Sequence, residues 1–259
     1  MNASTSHESY NLNIHTPAGD LTASVSVPTG LIPITDIIPL MRSLGEQAHQ
    51  QAIDQTIQSG ATISCQKGCA ACCRMMIPLA PPEAIALKTV VEALPSSKRE
   101  PLLERFQAAQ KTLREAGLEE GLHRLAFSED QVTDEELEPL NRAYYALRVP
   151  CPFLEDEVCS IYEHRPSACR ELLVTSPAEF CQDLIRNPVH PIPSPFRMGS
   201  VLSKLWADCC QGPVRLIPLP FALDWAKAGE SRNARTWAGP ELLNRALDAA
   251  TQFLQRQTP

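Results

Sequence analysis

No stretch of this 259-residue chain is apolar for the roughly 18 residues that a membrane-spanning helix needs. Basic excess is also missing: 23 Lys and Arg face 30 Asp and Glu, a net charge of −7. Phosphate binding needs a basic face, so nucleic acid is excluded as the main partner. No P-loop, GxGxxG, GxSxG or HExxH motif occurs, which removes the standard nucleotide, hydrolase and metalloprotease sites. The opening MNASTSHESYNLNIH has neither a basic n-region nor an apolar h-region. The expectation is a cytoplasmic protein that stays off membranes. At 44% hydrophobic and 20% charged, the composition is ordinary for a globular chain able to bury a real core.

What the chain does have is cysteine, ten of them, in a compartment where structural disulfides are rare. Four fall within nine residues in CQKGCAACC, as Cys65, Cys69, Cys72 and Cys73. The Cys69–Cys72 pair has C-x2-C spacing, a tight turn that lets two thiolates face one metal ion. Cys151, Cys159 and Cys169 follow in CPFLEDEVCSIYEHRPSACR. A thiolate centre draws ligands from at least two segments, and these two segments supply seven candidates. The entropy of closing the long loop grows only slowly with its length, and metal binding of order 10 kcal/mol offsets it.

Between and around the clusters the pattern is mostly helical. Tyr10, Leu12 and Ile14 alternate, Pro17 to Asp20 turn, and Leu21, Ala23, Val25 and Val27 alternate again. That predicts a β-hairpin within residues 1–30, one that must pack on something. Residues 31–35 read as a linker. Asp36 is placed to N-cap a helix with Pro39 in its first turn, running to Gly60. Further helices are predicted from Pro82, from a Ser97/Glu100 capping box, and from a Thr133/Glu136 capping box. The acidic run 128–138 fits the start of that last helix rather than a docking site. Residues 149–162 read as short extended pieces about an acidic turn, and Pro166 opens a short helix carrying Cys169. Residues 187–197, with four prolines, read as an irregular surface segment. Helices are expected near 198–206, 221–228 and 239–255.

Adjacent residues tend to point apart, so Cys72 and Cys73 are not expected to join one zinc ion together. Adding Cys181 brings the clustered thiols to eight, enough for two four-thiolate sites. Zinc and iron–sulfur clusters both accept four thiolates, and spacing does not separate them. Lys67, Arg74, Arg165 and Arg170 flank the sulfurs and can offset thiolate charge. Cys65-x3-Cys69-x2-Cys72 coincides with the spacing of radical S-adenosylmethionine enzymes. Ala71, where those enzymes carry an aromatic residue, and the helical run after Cys73 argue against that reading.

The two segments together resemble the CxxCxxCC family, also called YkgJ-type cysteine cluster proteins, described as zinc- or iron-chelating domains. The matching residues are Cys65, Cys69, Cys72 and Cys73, then Cys151-Pro-Phe-Leu, Cys159, Ile161-Tyr162-Glu163, Arg165-Pro166 and Cys169-Arg170. The resemblance extends to flagellin lysine methylases, which implies that such a centre supports methyl transfer in some relatives.

The expected fold is therefore α+β and mainly helical, a single integrated domain over residues 1–259. Its cysteine core spans about 61–175, with a helical insert at about 80–148. The metal ligands are expected to be Cys65, Cys69, Cys72, Cys73, Cys151, Cys159 and Cys169. Ligand surplus favours an iron–sulfur cluster of four-iron type over zinc, with Arg165 and Arg170 against the cofactor. Two other functions stand beside it: an enzyme using the centre for group transfer or redox chemistry, and a structural zinc module presenting helices to a protein. A protein or redox partner is expected, of unspecified identity. Cys209 and Cys210 read as core thiols, Cys181 is left open, and His164 and His190 read as loop residues. Tyr162, Phe153 and Ile161 read as an apolar shell.

Overall fold

The alternation in the first thirty residues folds as read. In the computed structural model, which describes residues 6–130, 132–184 and 186–257, strands β1 (His7–Thr16) and β2 (Gly19–Pro28) pair antiparallel. Residues 1–5 of the expected hairpin lie outside the described residues. Thr16 faces Gly19 across a two-residue turn. Leu21, Ala23, Val25 and Val27 are buried, while Tyr10, Leu12 and Ile14 are half-buried against the same core.

The segment expected to be a linker instead contains β3 (Leu31–Pro33), and a 3-10 turn follows at Ile34–Ile37. That turn takes up Asp36, so helix α1 (Ile38–Gln58) begins without a side-chain cap. The helix buries Met41, Leu44, Ala48 and Ala52, one stripe at helical spacing. Gly60, at φ +89°, ends the run.

After the first cysteine segment, β4 (Pro78–Leu79) leads into four helices: α2 (Pro81–Glu92), α3 (Ser96–Glu115), α4 (Glu119–Phe127) and α5 (Asp134–Leu147). The Ser97/Glu100 box goes unused because α3 starts behind Pro95 with no side-chain cap. The Thr133/Glu136 box forms as expected. The Glu136 N–H donates to Thr133 Oγ1 at 3.4 Å, and the Thr133 N–H to Glu136 Oε2 at 2.9 Å.

Then come β5 (Leu154–Glu155) and β6 (Val158–Cys159), a minimal hairpin whose turn holds Asp156 and Glu157 at positive φ. α6 (Ser167–Glu171) follows, then α7 (Met198–Cys210) after the proline-rich segment. β7 (Ile217–Pro218) pairs with β4, and α8 (Ala222–Ala228), α9 (Glu230–Asn233), β8 (Thr236–Ala238) and α10 (Gly239–Gln257) complete the chain. β8 returns to pair with β3, and Gly239 packs so tightly on Pro28 that a Cβ there would lie 1.8 Å from its carbonyl oxygen.

The main core joins hairpin, α1, α2, α7, α8 and α10. Val201, Leu202, Leu205 and Trp206 on α7 are fully buried at its centre. The fold is mainly helical α+β, as the sequence predicts. Among the described residues no helix is long and apolar enough to cross a membrane.

Candidate metal centre

The first cysteine segment is a series of tight turns. Gly68 at φ +93° lets the Cys69 N–H reach back to Gln66 O at 3.0 Å. A 3-10 turn, Ala71–Arg74, then carries both Cys72 and Cys73. Successive residues of such a turn are about a third of a revolution apart, not opposed as in a strand. The two thiols accordingly line the same cavity, contrary to the expected parting, and Cys73 donates a hydrogen bond to Cys72.

The second segment meets the first directly: the Cys151 N–H donates to Cys73 O at 2.8 Å. Cys159 sits on β6 and Cys169 on α6. Helix α6 is fixed by Glu83, which lies on α2 and is buried. Glu83 Oε1 accepts both the N–H and the Oγ–H of Ser167 at 2.7 Å, while Oε2 accepts the Ala80 N–H at 3.1 Å. Sequence reading missed this residue. A Glu at the third position of a helix is legible as a cap, but its partner 84 residues onward is not.

The cavity enclosed by the two segments measures about 260 Å³. Six thiols face it, from Cys69, Cys72, Cys73, Cys151, Cys159 and Cys169. Its remaining wall is largely apolar and includes Met76, Ile77, Phe153, Ile161, Leu172 and Leu219. All ten cysteines are free thiols. Among the described residues no three His, Cys, Asp or Glu side chains are arranged to hold a single ion as they stand.

Burial pushes the Cys151 thiol up to about 12 and Cys169 well above the ordinary range. Cys72 moves down, first because Cys73 donates to it, with Arg165 adding a favourable charge. Arg165 lines the cavity, its Nε donating to Tyr162 O at 3.0 Å and its guanidinium 3.6 Å from the Tyr162 ring centre. Lys67 lies 5.5 Å from the same ring.

Arg170 stands elsewhere. It braces the 163–165 loop through the carbonyls of Arg165 and Glu163 and pairs with Glu46 at 2.8 Å. Arg74 pairs with Glu157, tying the first segment to the β5–β6 turn at the cavity wall.

Four cysteines lie off the cavity wall, Cys65, Cys181, Cys209 and Cys210. Cys209 and Cys210 are buried on α7 in the main core, as expected. Cys65 is half-buried, its Sγ accepting the Val174 N–H at 3.3 Å. His164 lies beside Arg42 and Glu83 in a separate cleft, and the His190 backbone joins Thr175 and Ser176.

Residues 64–183 match the CxxCxxCC family. The description of that family reads "Putative zinc- or iron-chelating domain". The match takes in both cysteine segments, the helical insert between them and Cys181, and stops short of Cys209. No curated protein and no solved structure matches the chain.

Proposed function

We propose that the CxxCxxCC segment holds an iron–sulfur cluster, with a redox protein as partner in a reducing cytoplasm. The observation that carries the reading is the arrangement of the thiols. Six cysteines from two segments line one cavity of about 260 Å³. Four thiolates on one zinc at about 2.3 Å would stand only about 3.8 Å apart. A cavity many times the ~30 Å³ of a water molecule suits a polynuclear group better. The donors are all soft thiols, which fits iron–sulfur chemistry.

Cys69, Cys72, Cys73, Cys151, Cys159 and Cys169 are the residues available to hold it, and the bound group would supply one-electron transfer. The chain itself does the rest. Glu83 sets the orientation of Cys169 through α6, Arg165 places a positive charge beside Cys72 and Cys159, and apolar side chains line the space beside the sulfurs. Reconstitution without oxygen, followed by iron, sulfide and zinc analysis, tests the reading. Iron with matching sulfide and a visible chromophore are expected, whereas a colourless protein with one zinc overturns it.

The same cavity favours a second reading, an enzyme that uses the centre for group transfer. A closed structural zinc site needs no apolar chamber beside its ligands, and here Met75, Met76, Leu172 and Leu219 provide one. Binding of S-adenosylmethionine to the loaded protein, by calorimetry, is the expected result for the methyl-transfer form; absence of heat removes that form.

A further inference from the structure

The polar groups around the 260 Å³ cavity are of two kinds, those with a partner and those without. Among the described residues Glu157 is the one carboxylate on its wall. Arg74 takes both of its oxygens, Nη1 donating to Oε2 at 3.0 Å and Nη2 to Oε1. Arg142 and Arg170, on neighbouring elements, likewise have Glu138 and Glu46.

Arg165 and Lys67 differ. Among the described residues neither forms an ion pair, and both stand over the Tyr162 ring, the Arg165 guanidinium 3.6 Å from its centre and Lys67 Nζ at 5.5 Å. Arg165 uses only Nε, on Tyr162 O at 3.0 Å, and its two Nη groups are free to donate. Arg165 and Tyr162 line the cavity. Lys67 is exposed at its rim, between Gln66 and Gly68, which line it too. A countercharge for thiolates accounts for Arg165 beside Cys72 and Cys159. It does not account for a second, exposed cation over the same ring.

We propose that this cavity takes a small organic carboxylate with an apolar body. Its charged end is held by Arg165 and Lys67 at the Tyr162 ring, and its body lies against Met75, Met76 and Leu172. The proposal rests on the group-transfer reading of the cavity, which S-adenosylmethionine binding tests separately.

The chemistry selects this class. A guanidinium fork matches a planar carboxylate, and such charge-assisted hydrogen bonds are about twice as strong as neutral ones. A cationic ligand would meet two like charges and a carboxylate already committed to Arg74. The rest of the wall is largely apolar, so a ligand polar throughout would leave its groups unmatched there. A few convergent donors in an apolar cleft are the usual make-up of a small-molecule site.

Hexanoate is the probe, with hexan-1-ol and hexylamine as its uncharged and cationic counterparts. Each is titrated by calorimetry into full-length protein isolated without oxygen, with iron measured on the same samples. Hexanoate should bind about tenfold or more tighter than hexan-1-ol, and hexylamine should give no heat. Lys67→Gln should weaken hexanoate several-fold and Arg165→Gln about tenfold or more. Lys98→Gln, which removes an exposed charge on α3, should leave it unchanged. Failure of hexanoate to bind, or binding equal to that of hexan-1-ol, overturns the proposal. So does unchanged affinity in both Lys67→Gln and Arg165→Gln.

A measurement on wild type alone keeps the test independent of whether the variants fold. Phenylglyoxal modification, followed residue by residue by mass spectrometry, should slow at Arg165 when hexanoate is present and stay the same at exposed Arg114. An unslowed rate at Arg165 places the ligand elsewhere and overturns the proposal. Colourless protein that still selects hexanoate overturns the cluster reading and upholds this one. Selection of hexanoate without heat from S-adenosylmethionine removes the methyl-transfer form and leaves the carboxylate site standing.

Discussion

The cysteine segments and the helical core differ in what holds them. Around Trp206 the chain buries whole side chains: Val201, Leu202, Leu205, Leu242, Leu243 and Ala246 are all fully inaccessible. Burial of that kind stabilises by about 1.5–3 kcal/mol per large side chain, with no help from a ligand. Around the sulfurs, by contrast, the chain is made of turns and two- to five-residue elements. Seven of the eight clustered cysteines are only half-buried. One region is held by packing and the other is completed by what it binds.

Breaking the packed region should cost most. Trp206→Ala is expected to destabilise by about 3–5 kcal/mol, equally with and without metal, in denaturant titrations of both forms. A loss seen only in the metal-free protein would erase the contrast.

Glu83 joins the two regions, and its removal should be felt in both. Glu83→Gln weakens three buried hydrogen bonds to a carboxylate, for an expected loss of about 2 kcal/mol. Faster loss of metal to a chelator should accompany it, because Cys169 is then less firmly oriented. Unchanged metal retention would show that α6 is positioned without Glu83.

Cys72→Ser should do the reverse of Trp206→Ala. Bound iron falls many-fold, while the unfolding midpoint of the metal-free protein moves by about 1 kcal/mol or less. Unfolding of this variant would favour the structural zinc module.

The smallest effect belongs to the scaffold. His49 on α1 is 5% exposed, its Nε2 has no hydrogen-bond partner, and burial lowers its pKa from 6.5. The unfolded chain then binds the proton more readily, so stability should fall as pH drops below about 6.5 toward the lowered folded value. His49→Leu should flatten that acid limb in pH-dependent melting, and an unaltered limb would place its origin elsewhere.

Local patterns were legible in the sequence and distant pairings were not. The period-two run from Leu21 to Val27, the Thr133/Glu136 box and the acidic turn at 155–157 each carry their signal within a few residues. The cysteine spacing likewise marked two segments as neighbours, and the Cys151–Cys73 hydrogen bond joins them. The β3–β8 pair escaped because its strands are three residues long and some two hundred residues apart. α4 went unread between two longer helices, and Asp36 was misread because a 3-10 turn and a helix share the same start signals. Ser167 and Cys181 have no local mark of the residues they meet. Only the fold sets Ser167 on Glu83 and Cys181 beside Cys65.

The central claim is that two remote segments grip one inorganic group, and Cys151 is the place to test it, since it lies wholly in the second segment. Iron and sulfide per chain should be compared for wild type and Cys151→Ser, both isolated without oxygen. The account predicts coloured, iron-loaded wild type and a folded variant with little iron. Full iron in Cys151→Ser would contradict it, because the first segment would then suffice alone.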